Sequence, residues 1–150
     1  GVFLSKCTPR PCIEIEKEVS VDDGQTFVDA DDCDDAPTAG KSAEYRLVVT
    51  NCGPEDLVNV VVNDAQLGIV NYPIGNLAEG DSVTLDKGDI EELFFELLCE
   101  EFSLFENIAI VSGEGASSGE PVEDQDPACV KCEPCIDIEK LVKDYLKGKK

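Results

Sequence analysis

The chain has 150 residues, with 33 acidic against 12 basic side chains and a net charge of −21; so acidic a body repels nucleic acid and anionic lipid, which excludes both as partners. Eight cysteines stand beside no histidine, methionine or tryptophan; the commonest general base and metal ligand are therefore missing, and the thiols point to disulfides in an extracellular compartment. No apolar run approaches the roughly 18 residues of a membrane span, and the start has no basic segment followed by an apolar one, so neither membrane insertion nor a retained signal peptide is expected.

In chain order, residues 1–11 form a Cys/Pro junction, 12–128 a folded domain, and 129–150 a second cysteine-rich junction with a basic tail. Residues 12–19 alternate at period two, with Ile13, Ile15, Lys17 and Val19 on one side, which predicts a half-buried strand. Residues 22–40, rich in Asp, Gly, Ala and Pro, read as loops around a short extended piece at Thr26-Phe27-Val28. Residues 43–50 alternate again and end at the turn Asn51-Cys52-Gly53-Pro54. Further strands are expected at 57–62, 69–74 and 82–85. Residues 90–99 fit a short helix as well as a strand, and their place between strands favours sheet. Asn107–Val111 is expected to be the last core strand, before a Gly/Ser-rich turn at 112–119. About seven short strands with little helix predict an all-β fold, an immunoglobulin-like antiparallel β-sandwich with extended terminal segments.

Val49-Thr-Asn-Cys-Gly-Pro54, Val58-Asn-Val-Val-Val-Asn-Asp64, Ile74-Gly-Asn-Leu-Ala-Glu-Gly-Asp-Ser-Val-Thr84 and Asn107-Ile-Ala-Ile-Val-Ser-Gly113 resemble the successive motifs of the conserved-repeat domain of prokaryotic surface proteins. The resemblance covers roughly residues 12–128. It implies a tandem immunoglobulin-like module with no shared enzymatic activity, used for structure or spacing outside the cell. Such repeats are often cysteine-poor, and this chain departs from them in carrying eight.

The two ends say nearly the same thing. Lys6-Cys-Thr-Pro-Arg-Pro-Cys12-Ile-Glu-Ile-Glu-Lys17 recurs as Lys131-Cys-Glu-Pro-Cys135-Ile-Asp-Ile-Glu-Lys140, an offset of 123 residues from Ile13 to Ile136. A chain that begins its own first element again is a link in something longer, a tandem array or a subunit that lends that element to its neighbour. The expectation is a homopolymer, a filament or surface stalk in which Ile136, Ile138, Lys140 and Val142 belong to a donor strand added to a sheet edge of the next copy. Burying the three apolar side chains would contribute about 5–8 kcal/mol before ordering costs. The last eleven residues carry a net +4 against −25 for residues 1–139, which suits docking of one copy's tail on the next copy's body. The ending at Leu146-Lys-Gly-Lys-Lys150 favours a whole subunit over a fragment of an array. The rivals are a monomeric adhesin or calcium-dependent binding module, and one repeat of a tandem surface protein.

Cys33, Cys52 and Cys99 lie in the body, whereas Cys7, Cys12, Cys129, Cys132 and Cys135 lie at the junctions. Odd numbers in both groups force at least one bridge from a junction to the body or to another chain, and bridges between subunits are expected for some of the five. Thiolates at 129, 132 and 135 also have the two-residue spacing of zinc or iron–sulfur ligands, but in an oxidising compartment disulfides are favoured. Asp22, Asp29, Asp31, Asp32 and Asp126 are candidate oxygen ligands for Ca2+, without the order of an EF-hand loop. Lys17 on the first strand and Asn107 on the last are placed as in surface modules that carry a Lys–Asn isopeptide bond, although a strand lysine ordinarily carries its amine to water. With no phosphate loop and no nucleophile motif, an enzyme is not expected.

Overall fold

The computed structural model describes residues 10–134 and 138–148. Strand β1 (Ile13–Ser20) leads into a loop with a 3-10 turn at Cys33–Asp35 and the short β2 (Thr38–Ala39). Then come β3 (Ser42–Asn51), β4 (Leu57–Asp64), β5 (Ile69–Leu77), β6 (Ser82–Leu85), β7 (Phe94–Glu96), β8 (Ser103–Gly115), β9 (Pro121–Cys132) and helix α1 (Ile138–Lys147). The fold is an all-β sandwich. One sheet runs β1-β3-β6, with β7 also on β3; the other runs β2-β9-β8-β4-β5. Every pairing is antiparallel except that of β2 with β9.

Period two in the sequence becomes two faces in the sheet. In β1 the residues Ile13, Ile15, Lys17 and Val19 are buried, while Glu14 and Glu16 face out. Facing them across the core stand Val60 and Val62 of β4, Ala109 and Val111 of β8, and Ala128 and Val130 of β9. Tyr45 of β3 is fully enclosed and stacks on Phe95 of β7, ring centroids 5.2 Å apart, and such a pair adds to the area it buries.

Among the described residues nine strands stand against the expected seven or so, and the chief addition is β9. The sequence offers no element for residues 120–128 after the turn at 112–119, and Cys129 and Cys132 read as junction. The structure instead pairs it with β8 from Glu114↔Pro121 to Ser103↔Cys132, so the folded body passes residue 128 and ends at Cys132. Residues 90–99 resolve into a 3-10 turn at Glu91–Leu93 and the three-residue β7. The extended piece at 26–28 is a single bridge, Val19↔Val28.

In the single chain residues 138–147 form α1, whereas the donor-strand expectation concerns this segment paired with a neighbouring copy. The repeated phrase stops alternating after its glutamate, because residues Ile138, Leu141, Val142, Tyr145 and Leu146 recur at the three- and four-residue spacing of a helix face. Val142 is half exposed on that helix, Lys140 and Ile138 have helical backbone, and Ile136 lies outside the described residues.

The outer edges are blunted. Strand β5 holds Asn71 and Gly75 at positive φ around Pro73, and its register on β4 shifts repeatedly. The outer edge of β9 is covered, since Cys129 and Lys131 donate backbone N–H groups to the carbonyls of Ala30 and Pro37. On β1 the outward N–H groups of Ile15 and Lys17 donate to the carboxylates of Asp124 and Asp126 on β9, at 2.9 and 2.6 Å. Among the described strands, none offers a long, flat, unpaired edge for another chain to extend.

Candidate functional site

Among the described residues six cysteines form three bridges: Cys12–Cys52, Cys33–Cys129 and Cys99–Cys132, with Cα–Cα separations of 5.0, 5.1 and 5.4 Å. Each joins one body cysteine to one junction cysteine, so Cys12, Cys129 and Cys132 are used within the chain rather than between chains. Cys129 and Cys132 hold different partners and cannot clasp one metal as thiolates. Cys7 and Cys135 lie outside the described residues. Such bridges place the chain in an oxidising compartment. Gly53 makes room for the first of them: a Cβ there would sit 2.6 Å from the backbone nitrogen of Cys12.

Two bridges mark opposite ends. Ile13 pairs with Asn51, and the Asn51 side chain donates to the carbonyls of Glu55 and Leu77 and accepts from Gly53 N–H. That ties Cys12–Cys52 to one pole. At the other, Cys132 pairs with Ser103 and is bonded to Cys99. Ile15 and Lys17 meet Asp124 and Asp126 in that order, so β1 and β9 run side by side in one direction. The chain enters the sandwich at the Cys12 pole and leaves it at the Cys132 pole.

The cleft between β1 and β9 is strongly acidic. Of the five candidate calcium ligands, Asp29, Asp31 and Asp126 converge, with one oxygen from each lying within 4.8 Å of the others. The other two are turned to local work. Asp22 accepts from Thr26 N–H, from the Thr26 hydroxyl and from Ser20 Oγ, and these bonds hold its carboxyl down at about 2. Asp32 caps the 3-10 turn by accepting from Asp34 N–H at 3.0 Å.

Crowding shows in the titration of the convergent set. Asp29 is raised to about 7, chiefly by sharing a hydrogen bond with Asp31, then by burial and the charges of Asp31, Asp126 and Glu16. Asp126 is raised to about 6 by burial first, against the Lys17 N–H that favours its charged form. A proton or a hard cation relieves such a cluster, and three carboxylates can supply part of the six to eight oxygens that calcium takes. Because these carboxyls hold protons in the folded state that the unfolded chain has lost, stability falls as pH rises from about 4 to about 7. Asp31→Asn removes the partner common to both; we expect a smaller drop in thermal midpoint between pH 5 and pH 8 than wild type, and equal drops would refute the coupling.

A second constellation is buried between the sheets. Lys17, predicted to reach water, is fully enclosed: its Nζ donates to Asp64 Oδ2 at 2.5 Å and lies 4.2 Å from the centre of the Tyr45 ring. Asn107, placed in the next-to-last strand rather than the last, donates from Nδ2 to Asp64 Oδ1 at 3.1 Å. Asp64 was not singled out in the sequence. Its signal was there, an acid closing the apolar strand Val60-Val61-Val62.

No protein-family model and no curated protein matches the chain. Among solved structures it is similar to the crystal structure of native alpha-2-macroglobulin from Escherichia coli spanning domain MG7 to the C-terminus, with 15% identity and a TM-score of 0.47. That match covers 80% of this chain and 16% of the other.

Proposed function

We propose that this chain is a structural module of an extracellular filament or cell-surface stalk, joined to further copies of itself end to end. The observation that carries the reading is the direction of the chain: it goes in at the Cys12 pole and comes out at the Cys132 pole, so successive copies line up along one axis. The repeated phrase supports it, because the residues just beyond the exit pole repeat the wording that opens β1. So does the likeness of residues 12–128 to conserved-repeat domains of prokaryotic surface proteins.

Disulfides between copies fit the same geometry. Among the described residues six cysteines are paired inside the body; in the sequence Cys7 stands five residues before the first pole and Cys135 three residues after the second. In an end-to-end series a disulfide from Cys135 of one copy to Cys7 of the next would make the joint covalent. Leu98 and Phe102, both well exposed beside Cys99, give the exit pole an apolar rim for the next copy. On non-reducing electrophoresis we expect a ladder that collapses on reduction, and Cys7→Ser or Cys135→Ser should abolish the ladder and leave monomer, since each joint needs both thiols. Monomer alone under non-reducing conditions, with no regular fibres by electron microscopy, would refute the reading.

The Asp29–Asp31–Asp126 cluster favours a second reading, a calcium-dependent binding module. That reading requires calcium to raise the thermal midpoint of the monomer above pH 7, and it predicts no fibres.

A further inference from the structure

The centre of the sandwich holds a lysine amine and an asparagine carboxamide on the two oxygens of a single carboxylate. Lys17 Nζ sits on Oδ2 of Asp64 and Asn107 Nδ2 on Oδ1. All three side chains are at least nine-tenths buried, with Lys17 at 0%, Asp64 at 1% and Asn107 at 5% exposure. The Asn107 carbonyl oxygen is buried and has no hydrogen-bond partner. Burying a charge pair together with an unsatisfied carbonyl is costly, and β1, β4 and β8 spend three inward positions on it where apolar side chains would pack.

We propose that Lys17 and Asn107 condense into an intramolecular isopeptide bond that ties β1 of one sheet to β8 of the other, with Asp64 as the proton carrier. The neutral Lys17 amine attacks Cγ of Asn107. A proton leaves Nζ for the Asp64 carboxylate, and the carboxyl so formed passes that same proton on to Nδ2. The bond from Cγ to Nδ2 breaks and Nδ2 departs as ammonia. An amine and a primary amide become a secondary amide and ammonia, no electron acceptor or donor is needed, and Asp64 returns to its starting state.

The surroundings suit each step. Burial lowers the Lys17 amine to about 8 in spite of the opposing pull of Asp64, so more of it is neutral than in water. The Tyr45 ring lies against Nζ, and the burial of Asn107 keeps water, the competing nucleophile, away from its carboxamide. Strand pairing holds the reacting groups together without diffusion, which replaces a bimolecular encounter by a step within one molecule. The inference rests on the core geometry and is independent of how copies assemble.

Intact-mass measurement of the folded, then reduced, full chain tests it. The expected mass is lower than the sequence mass by one ammonia, with the cross-link mapped by fragmentation to a peptide pair joining Lys17 and Asn107. Asp64→Asn should show the full mass. Asn107→Ala keeps the Lys17–Asp64 pair, and with its three disulfides shown to be formed it should also show the full mass. A folded wild type at full mass overturns the proposal. So does loss of one water, which would join Lys17 to Asp64, or an ammonia loss mapped to any other asparagine, as a succinimide would give.

Discussion

Asp64→Ala is expected to be the most damaging single substitution in this protein, lowering unfolding free energy by at least about 3–5 kcal/mol. It leaves the Lys17 amine fully enclosed without its hydrogen-bonded counter-charge, with only the weaker pull of Asp126 and a Tyr45 ring that replaces little of the lost attraction. It also frees Leu67 N–H, which donates to Asp64 Oδ1 at 3.3 Å at the start of the turn after β4. Lys17→Met should cost less, because Asp64 then keeps two donors, Asn107 Nδ2 and Leu67 N–H. Both variants lose any link made through Lys17, so the order survives whether or not that bond forms. Urea unfolding of the two variants checks it, and a Lys17→Met loss equal to that of Asp64→Ala would contradict this account of the core.

The second large effect concerns Cys33–Cys129. This bridge spans 96 residues, against 40 for Cys12–Cys52 and 33 for Cys99–Cys132. In the chain-entropy picture, the longer the loop closed, the more conformations are removed from the unfolded state. Replacing both Cys33 and Cys129 by serine should therefore cost about 4–5 kcal/mol, a large share of the roughly 5–15 kcal/mol that holds a domain of ordinary stability. It also unpins the acidic segment that covers β9, where Ala30 and Pro37 accept from Cys129 and Lys131. Denaturant midpoints of the three double-serine variants give the test: the Cys33/Cys129 pair should fall furthest, and a smaller fall than for Cys99/Cys132 would rule out loop length as the governing factor.

Much of the sandwich was legible because alternation reports burial directly. Strands β1, β3 and β6 stand within a residue or two of where period two put them, and the turn at Asn51–Pro54 fell where side-chain and backbone chemistry demanded. β9 was hidden by its own composition. Its acids are not a solvated loop but the groups that meet the β1 edge, and that requirement depends on a strand more than a hundred residues away. The body cysteines were legible as incomplete by parity, yet which junction cysteine each would take depended on the path of β9. Lys17 stood out as the one charge on an apolar face. Its partner was invisible because Asp64 reaches it through the third dimension, from the far end of β4. The C-terminal phrase carries two signals at once: wording shared with β1, and a helical spacing of its last residues that the single chain follows in α1.

The placement of the sulfurs limits how far this module can lengthen under tension. A pull applied at Cys12 and Cys132 does not have the whole intervening chain to draw out, because a short covalent path runs from Cys12 to Cys33, crosses to Cys129 and needs only three more residues to Cys132. Fully drawn out, that path reaches roughly 70–90 Å at about 3.3–3.6 Å per residue. Even a completely unravelled copy would keep most of its slack locked in closed loops, so a string of such units stays short when one of them yields.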